Sequence, residues 1–133
     1  MSSESHVFND QDAAAIRALT DIHVRAVLDH DPNAFLAACT EDITLIPPEQ
    51  PAFAGREACR SFLQDFPKPT TFTAKIDDVE GQGRLGFSRG SATATFADGE
   101  ATTFRWIAIH RRGSDGTWKM ARDIWNTYEP GSR

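Results

Sequence analysis

The order of β-patterned segments constrains the fold of this 133-residue chain more than any other feature. Asp98-Gly99 is a two-residue hairpin signal between two β-rich runs, and the other connections in the second half are equally short. Connections of this length cannot hold a crossover, so the strands must form an antiparallel meander. The four predicted strands span residues 70–79, 85–96, 102–111 and 118–127.

The first half of the chain is predominantly helical in pattern. Asp10 is a good N-cap for a helix to about His30. Asp31 caps a short second helix that begins at Pro32, and Gly55 precedes a third at residues 56–65. One short strand, residues 42–46, ends at two prolines.

A chain in which the helices come first and the strands follow is typical of an α+β domain, and we expect the helices to cover one face of the sheet. We assign the domain to residues 10–128, with tails at 1–9 and 129–133. A composition of 40% hydrophobic and 25% charged residues is that of an ordinary globular domain.

The charge and the motifs exclude several function classes. A net charge of -5 argues against nucleic acid or an anionic membrane as partner. The N-terminus lacks a signal peptide and no apolar run reaches about 18 residues, so we expect a cytoplasmic protein without a membrane span.

His23 and His30 are two helical turns apart, which is too far for them to share a metal ion, and no phosphate-binding loop is present. We therefore predict neither a metal nor a cofactor. Cys39 and Cys59 are expected to be buried thiols.

The chain resembles the SnoaL-like group of the nuclear transport factor 2-like superfamily, to which ketosteroid isomerase-like and polyketide cyclase-like proteins belong. The resemblance covers about residues 10–128 and rests on four segments. These are Asp31 after the first helix, Thr40-Glu41-Asp42, Pro47-Pro48 followed by Gly55-Arg56-Glu57-Ala58, and the run from Asp115 to Asn126.

The resemblance implies a cone-shaped curved antiparallel sheet with the helices over its concave face. The space between them would hold a small, mostly apolar ligand, and a homodimer would form through the outer face of the sheet. Such folds support isomerases, cyclases and hydrolases as well as non-catalytic modules, so the fold does not fix the chemistry. The only tyrosine is Tyr128, near the C-terminus, which argues against steroid isomerase chemistry itself.

Period-two alternation divides the last hairpin into two faces. A turn centred on Asp115 sets Ile107 opposite Asp123 and Arg105 opposite Trp125. In the resembled family the position of Asp123 points into the cavity, so we assign its face to the cavity. Arg105, Ile107, Ile109, Ala121, Asp123 and Trp125 lie on this face. Trp106 and His110 then belong to the outer face and to a dimer interface.

Asp123 is the principal candidate for chemistry. In an apolar cavity its pKa would rise, which suits acid/base catalysis. In the resembled cyclases and epoxide hydrolases an acid at a matching position does this work. The alternatives are a structural carboxylate paired with an arginine or a solvent-facing residue. His23, on the buried face of the first helix, either forms a dyad with Asp123 or is a core histidine.

Arg105 could bind an anionic group of the ligand or pair with Asp123. Ile107 is predicted on the same cavity face as Arg105. Trp125, Phe53, Phe62 and Tyr128 would either wall the cavity or form core. The favoured hypothesis is a cofactor-free isomerase, cyclase or hydrolase acting on an apolar carbonyl or epoxide ligand. A non-catalytic ligand-binding or association module, and a structural dimer with a filled cavity, are the alternatives.

Overall fold

The computed structural model describes residues 6–129, so residues 1–5 and 130–133 of the predicted tails lie outside the described residues. Three helices precede the four-stranded meander, and two short strands lie between the second and the third: α1 (Asp10–Leu28), α2 (Pro32–Ala37) and α3 (Arg56–Asp65). The N-cap of α1 is Asn9 rather than the predicted Asp10. Asn9 accepts hydrogen bonds from the backbone N–H groups of Gln11 and Asp12, and Asp12 accepts one from the Asn9 backbone in a capping box.

Six strands form one curved, open sheet in the order β2-β1-β6-β5-β4-β3. Their bounds are β1 (Cys39–Ile46), β2 (Phe53–Ala54), β3 (Thr71–Gln82), β4 (Leu85–Thr95), β5 (Ala101–Arg112) and β6 (Trp118–Tyr128). The pairs from β3 to β6 are antiparallel, as the short connections predict. Strand β1 joins the edge of the meander in parallel with β6. The α+β cone predicted from the resemblance is therefore confirmed.

Strand β2 was predicted as loop. Its two residues pair antiparallel with Thr44 and Leu45 of β1. A strand is recognised in a sequence by the alternation of apolar and polar residues, which repeats every two residues. A two-residue strand contains a single repeat, so the sequence pattern could not reveal it.

The inner face of β4 consists of small side chains. Gly86, Ser88, Gly90, Ala92 and Ala94 alternate with outward-facing residues and are buried. Small residues in the centre of a sheet leave space between the sheet and the helices above it. This space becomes the cavity described below.

The first described residues contact the domain, although they were assigned to a tail. His6 Nε2 lies 2.8 Å from Asp12 Oδ2, and the Phe8 ring packs edge-on against Trp118 with centroids 5.6 Å apart. Trp118 Nε1 donates to Asp12 Oδ1 at 2.9 Å. The buried Asp12 thus joins α1 to the start of β6. No helix within residues 6–129 has the length and apolar character needed to cross a membrane.

A β-bulge interrupts the β5–β6 pairing at Ala121. His110 pairs with Met120, whereas Ile109 pairs with Arg122, so Ala121 has no partner of its own. An extra residue of this kind shifts the register by one and reverses which residues share a face. Beyond the bulge, Ala108 rather than Ile107 lies opposite Asp123.

Candidate ligand-binding cavity

A cavity of about 130 Å³ lies between the helices and the inner face of the sheet. Its walls are mainly apolar and rich in aromatic rings. They include Phe62, Phe66, Phe72, Phe104, Trp106 and Trp125. The ring centroids of Phe62 and Trp125 are 5.7 Å apart, which joins α3 to β6 along one wall. This lining suits a small apolar ligand.

Asp123 lines this cavity from β6. Its Oδ1 is buried and accepts no hydrogen bond from residues 6–129. Burial raises the pKa of Asp123 from 3.8 to about 7, because a charge in a dry cavity loses its hydration. The carboxyl group can therefore exist in both protonation states near neutral pH, as an acid/base group requires.

His23 lines the same cavity from α1, but it does not form the predicted dyad by hydrogen bonding. Its Nε2 lies 3.5 Å from Cys39 Sγ, and its ring packs on Phe35 with centroids 4.5 Å apart. Cys39 Sγ donates to the Phe35 carbonyl at 3.2 Å. Burial lowers the pKa of His23 to about 4, so the imidazole is neutral at pH 7. Burial also raises the pKa of the Cys39 thiol, which makes it unreactive.

Three polar side chains of the cavity were missed or placed on the wrong face: Ser88, Trp106 and His110. His110 Nε2 lies 2.9 Å from Ser88 Oγ, and Trp106 Nε1 donates to the same oxygen at 3.4 Å. Burial, with a smaller effect of His23, lowers the pKa of His110 to about 4. The alternation of small residues along β4 was the available signal for Ser88. The bulge at Ala121, which alternation does not reveal, explains the error for the other two.

Arg105 and Ile107 were predicted to face the cavity, and this prediction was wrong. Both residues lie on the outer face of β5, where Ile107 is 46% exposed. The bulge in β6 explains the error, because it shifts the register by one residue between the turn and Asp123. The Arg105 guanidinium lies 4.2 Å above the ring of Tyr128. Tyr128 is itself 38% exposed on the outer surface, so the prediction that it walls the cavity or forms core was also wrong. Arg105 therefore neither pairs with Asp123 nor reaches a ligand beside it.

The remaining predicted residues divide between the cavity and the core. Trp125 and Phe62 line the cavity. Phe53 packs behind Phe62 with ring centroids 5.0 Å apart, but it is not part of the cavity lining. Within residues 6–129 no group of three or more potential metal ligands is present, and both cysteines are free and buried.

Solved structures with similar folds cover almost the whole chain. A ketosteroid isomerase-like protein from Erwinia carotovora atroseptica superposes with a TM-score of 0.81 at 23% identity, covering 92% of this chain and 100% of its own. A domain of unknown function with a cystatin-like fold from Nostoc punctiforme gives 0.81 at 18% identity, covering 93% and 82%. An NTF2-like protein of unknown function from Pseudomonas putida gives 0.74 at 18% identity, covering 93% and 92%.

At these identities the similarity establishes the fold and not the activity. No curated protein matches the sequence. The model of the SnoaL-like domain family matches residues 22–121, which is most of the chain and includes α1 from Ile22 onward and the sheet as far as the bulge at Ala121. The chain therefore belongs to the SnoaL-like domain family.

Proposed function

We propose that this protein binds a small, uncharged apolar ligand with a carbonyl or epoxide oxygen, and that Asp123 transfers a proton on it. The observation that carries the proposal is the buried, unpartnered Oδ1 of Asp123 in an aromatic-lined cavity. A pKa of about 7 leaves the carboxylate a stronger base than an exposed aspartate, while a useful fraction stays ionised at neutral pH.

In the simplest reaction of this kind, Asp123 removes a proton from the carbon next to a carbonyl and returns it to another carbon of the same ligand. The first step breaks a C–H bond, forms the carboxylic acid and leaves an enolate. The second step restores the carboxylate and gives an isomer, with no net change in protons or electrons. One structural neighbour is named a ketosteroid isomerase-like protein, so isomerisation is the first reaction to test, although that likeness establishes the fold alone.

His23 remains a candidate ligand contact, because it lines the same cavity. With a pKa of about 4 it is a weak base, so proton abstraction falls to Asp123. Arg105 has no part in the proposal, since it lies on the other face of the sheet.

The test is isomerisation of 3-cyclohexen-1-one to 2-cyclohexen-1-one, followed by the ultraviolet absorbance of the conjugated product. We expect Asp123→Asn to lower kcat/KM by at least about 100-fold, the usual loss for a general acid/base group. Asp21→Asn removes an exposed carboxylate of α1 and serves as the matched control. Equal rates for Asp123→Asn and wild type would refute proton transfer by Asp123.

A binding module is the alternative if no turnover occurs. It is favoured by the mainly apolar, aromatic lining of the cavity, which suits retention of an apolar ligand whether or not chemistry follows. Saturable binding of a single-ring apolar probe such as toluene, measured by titration calorimetry, that survives Asp123→Asn, without isomerisation of any test ketone, would identify this function. Failure to bind the probe would favour a purely structural role.

A homodimer through the outer face of the sheet is part of the same proposal, in the cytoplasmic setting that the sequence predicts. Ile107 and Ile124 are register partners on that face and are 46% and 49% exposed, so together they form an apolar patch. Sedimentation equilibrium tests the dimer. Ile107→Lys should yield a monomer, whereas Val7→Lys, at a 74% exposed position before α1, should not. A wild-type protein that is monomeric at high concentration would refute it.

A further inference from the structure

The deep polar end of the cavity is built by two strands. Ser88 of β4 and His110 of β5 are 0% and 1% exposed, and Ser88 Oγ lies 2.9 Å from His110 Nε2. Trp106, four residues before His110 on the same face, approaches the same oxygen through Nε1 at 3.4 Å. A serine hydroxyl thus lies between an indole and an imidazole.

Hydrogen-bond accounting assigns the proton of His110. An indole N–H can only donate, so Ser88 Oγ accepts from Trp106. That oxygen has a second lone pair, so the direction of its bond to His110 depends on where the Ser88 hydroxyl proton goes. Among residues 6–129 this proton has no acceptor other than His110 Nε2, so Nε2 accepts it. A neutral imidazole holds one ring proton, so this proton lies on Nδ1. His110 Nδ1 is buried and has no hydrogen-bond partner among residues 6–129.

An N–H group buried without a partner is costly, and such groups in native proteins often mark a functional role. The side chains of His110 and Ala108 lie on one face of β5, because the two residues are two positions apart. Ala108 is in turn the register partner of Asp123. The imidazole and the carboxyl group are therefore neighbours on the inner face of the sheet, and both line the cavity.

The lining also restricts the charge and size of the ligand. None of the described residues that line the cavity is a lysine or arginine, so a carboxylate ligand would face Asp123 without a compensating cation. A volume of about 130 Å³ is close to that of the roughly 150 Å³ apolar cavity that is known to bind benzene. One ring with a short uncharged substituent fits these limits.

We propose that His110 binds the ligand's carbonyl oxygen through its Nδ1–H, with Ser88 fixing the tautomer, so that the ligand class is an uncharged single-ring ketone or aldehyde. The inference rests on the proposed function in one respect, that the cavity binds a ligand. The anchored oxygen would place the adjoining carbon beside Asp123. Ser88 acts as a positioning residue, whereas His110 contacts the ligand.

A matched pair of probes tests the anchor: acetophenone and α-methylstyrene, which have nearly the same shape but carry an oxygen and a methylene group at the same position. Titration calorimetry on the wild-type protein should show acetophenone binding about tenfold more tightly, the effect of one buried hydrogen bond. His110→Phe should abolish this preference and leave the affinity for α-methylstyrene within about threefold. Ser88→Ala should reduce the preference, because Nε2 loses the hydroxyl that sets the tautomer.

Nitrogen NMR of the histidine rings gives a readout that does not depend on a variant folding. In the wild-type protein His110 should be the Nδ1–H tautomer, and acetophenone, but not α-methylstyrene, should shift the Nδ1 resonance. A protonated Nε2, or equal shifts with both probes, would overturn the assignment.

The outcomes separate the two proposals. Equal affinity of the wild-type protein for both probes refutes the anchor and leaves the proposed function standing. A carbonyl preference that depends on His110, without isomerisation of 3-cyclohexen-1-one, supports the anchor and refutes proton transfer. Binding of neither probe refutes the anchor together with the ligand-binding role.

Discussion

Met120 and Asp123 are three residues apart on β6 and nevertheless line the same cavity. In a regular strand, residues three apart point to opposite faces. The bulge at Ala121 removes this conflict, because the register shifts between the Met120–His110 pair and the Arg122–Ile109 pair. The same bulge places Asp123 beside Trp106, Ala108 and His110 rather than beside Arg105 and Ile107. It therefore leaves the carboxyl group without a cationic partner in the cavity.

Titration of the Asp123 carboxyl carbon by NMR should give a pKa near 7. Burial alone accounts for the shift, so His23→Phe, which keeps the cavity closed and apolar, should leave the pKa raised. Assignment of the resonance comes from Asp123→Asn. A value at or below 3.8 in the wild-type protein would mean that a cation reaches the carboxylate, and it would shift the proposed function toward ligand binding without chemistry.

Asp123→Asn should also change how stability depends on pH. A carboxyl whose folded pKa is raised contributes stability that is fully present below the unfolded pKa of 3.8 and is lost as the pH rises through about 7. Between pH 5 and pH 8 this group alone should lower the free energy of unfolding by roughly 2–3 kcal/mol. Urea unfolding of Asp123→Asn should lack this loss.

Asp21→Asn, at an exposed position of α1, is the control for that experiment. It should follow the wild-type curve at both pH values. If Asp123→Asn also follows the wild-type curve, the carboxyl group is not desolvated in the folded protein.

His23 and His110 should make the protein sensitive to acid. The folded pKa of each is lowered from 6.5 to about 4, so protonation favours the unfolded chain. The stability that each contributes is present above pH 6.5 and is lost as the pH falls toward 4. From pH 7 to pH 5 we expect a loss of roughly 2 kcal/mol for each histidine.

The measurement is urea unfolding of His110→Phe at these two pH values, and its loss on acidification should be about 2 kcal/mol smaller than that of wild type. His30→Asn replaces an exposed histidine with a residue that tolerates its positive φ of 54°, so it serves as the control. Identical acid sensitivity of His110→Phe and wild type would contradict a buried, neutral His110.

The sequence allows the fold to be predicted because each local signal agrees with the global one. The short turns at Asp98-Gly99 and near Asp115 determine the antiparallel meander, and the periodic apolar face of α1 determines its packing. Even the register of the last hairpin was correct near its turn, since Arg111 lies opposite Lys119 and His110 opposite Met120. These features depend on neighbours within a few residues along the chain.

The site was predictable only in part, because it depends on contacts that alternation cannot specify. Asp123, His23, Phe62 and Trp125 reach the cavity. The inserted residue Ala121 leaves no mark on the hydrophobic pattern, since both faces of β5 and β6 carry apolar residues. Because of this one inserted residue, Arg105 was predicted on the cavity face and His110 on the outer face, whereas the structure places them the other way round. The hydrogen bond between Ser88 and His110 joins positions 22 residues apart and likewise has no local signal.

Gly90 of β4 should be required for the position of Trp106. A Cβ at Gly90 would lie 2.2 Å from the Lys75 carbonyl oxygen and 2.7 Å from Cη2 of Trp106, both far inside van der Waals contact. Gly90→Ala must therefore move β3 or push the indole into the cavity. We expect a loss of roughly 1–3 kcal/mol in the free energy of unfolding, together with weaker binding of α-methylstyrene. Ser91→Ala, at the neighbouring position on the other face of β4, should change neither quantity appreciably. Unchanged stability and α-methylstyrene binding in Gly90→Ala would show that the indole does not pack against this strand as described.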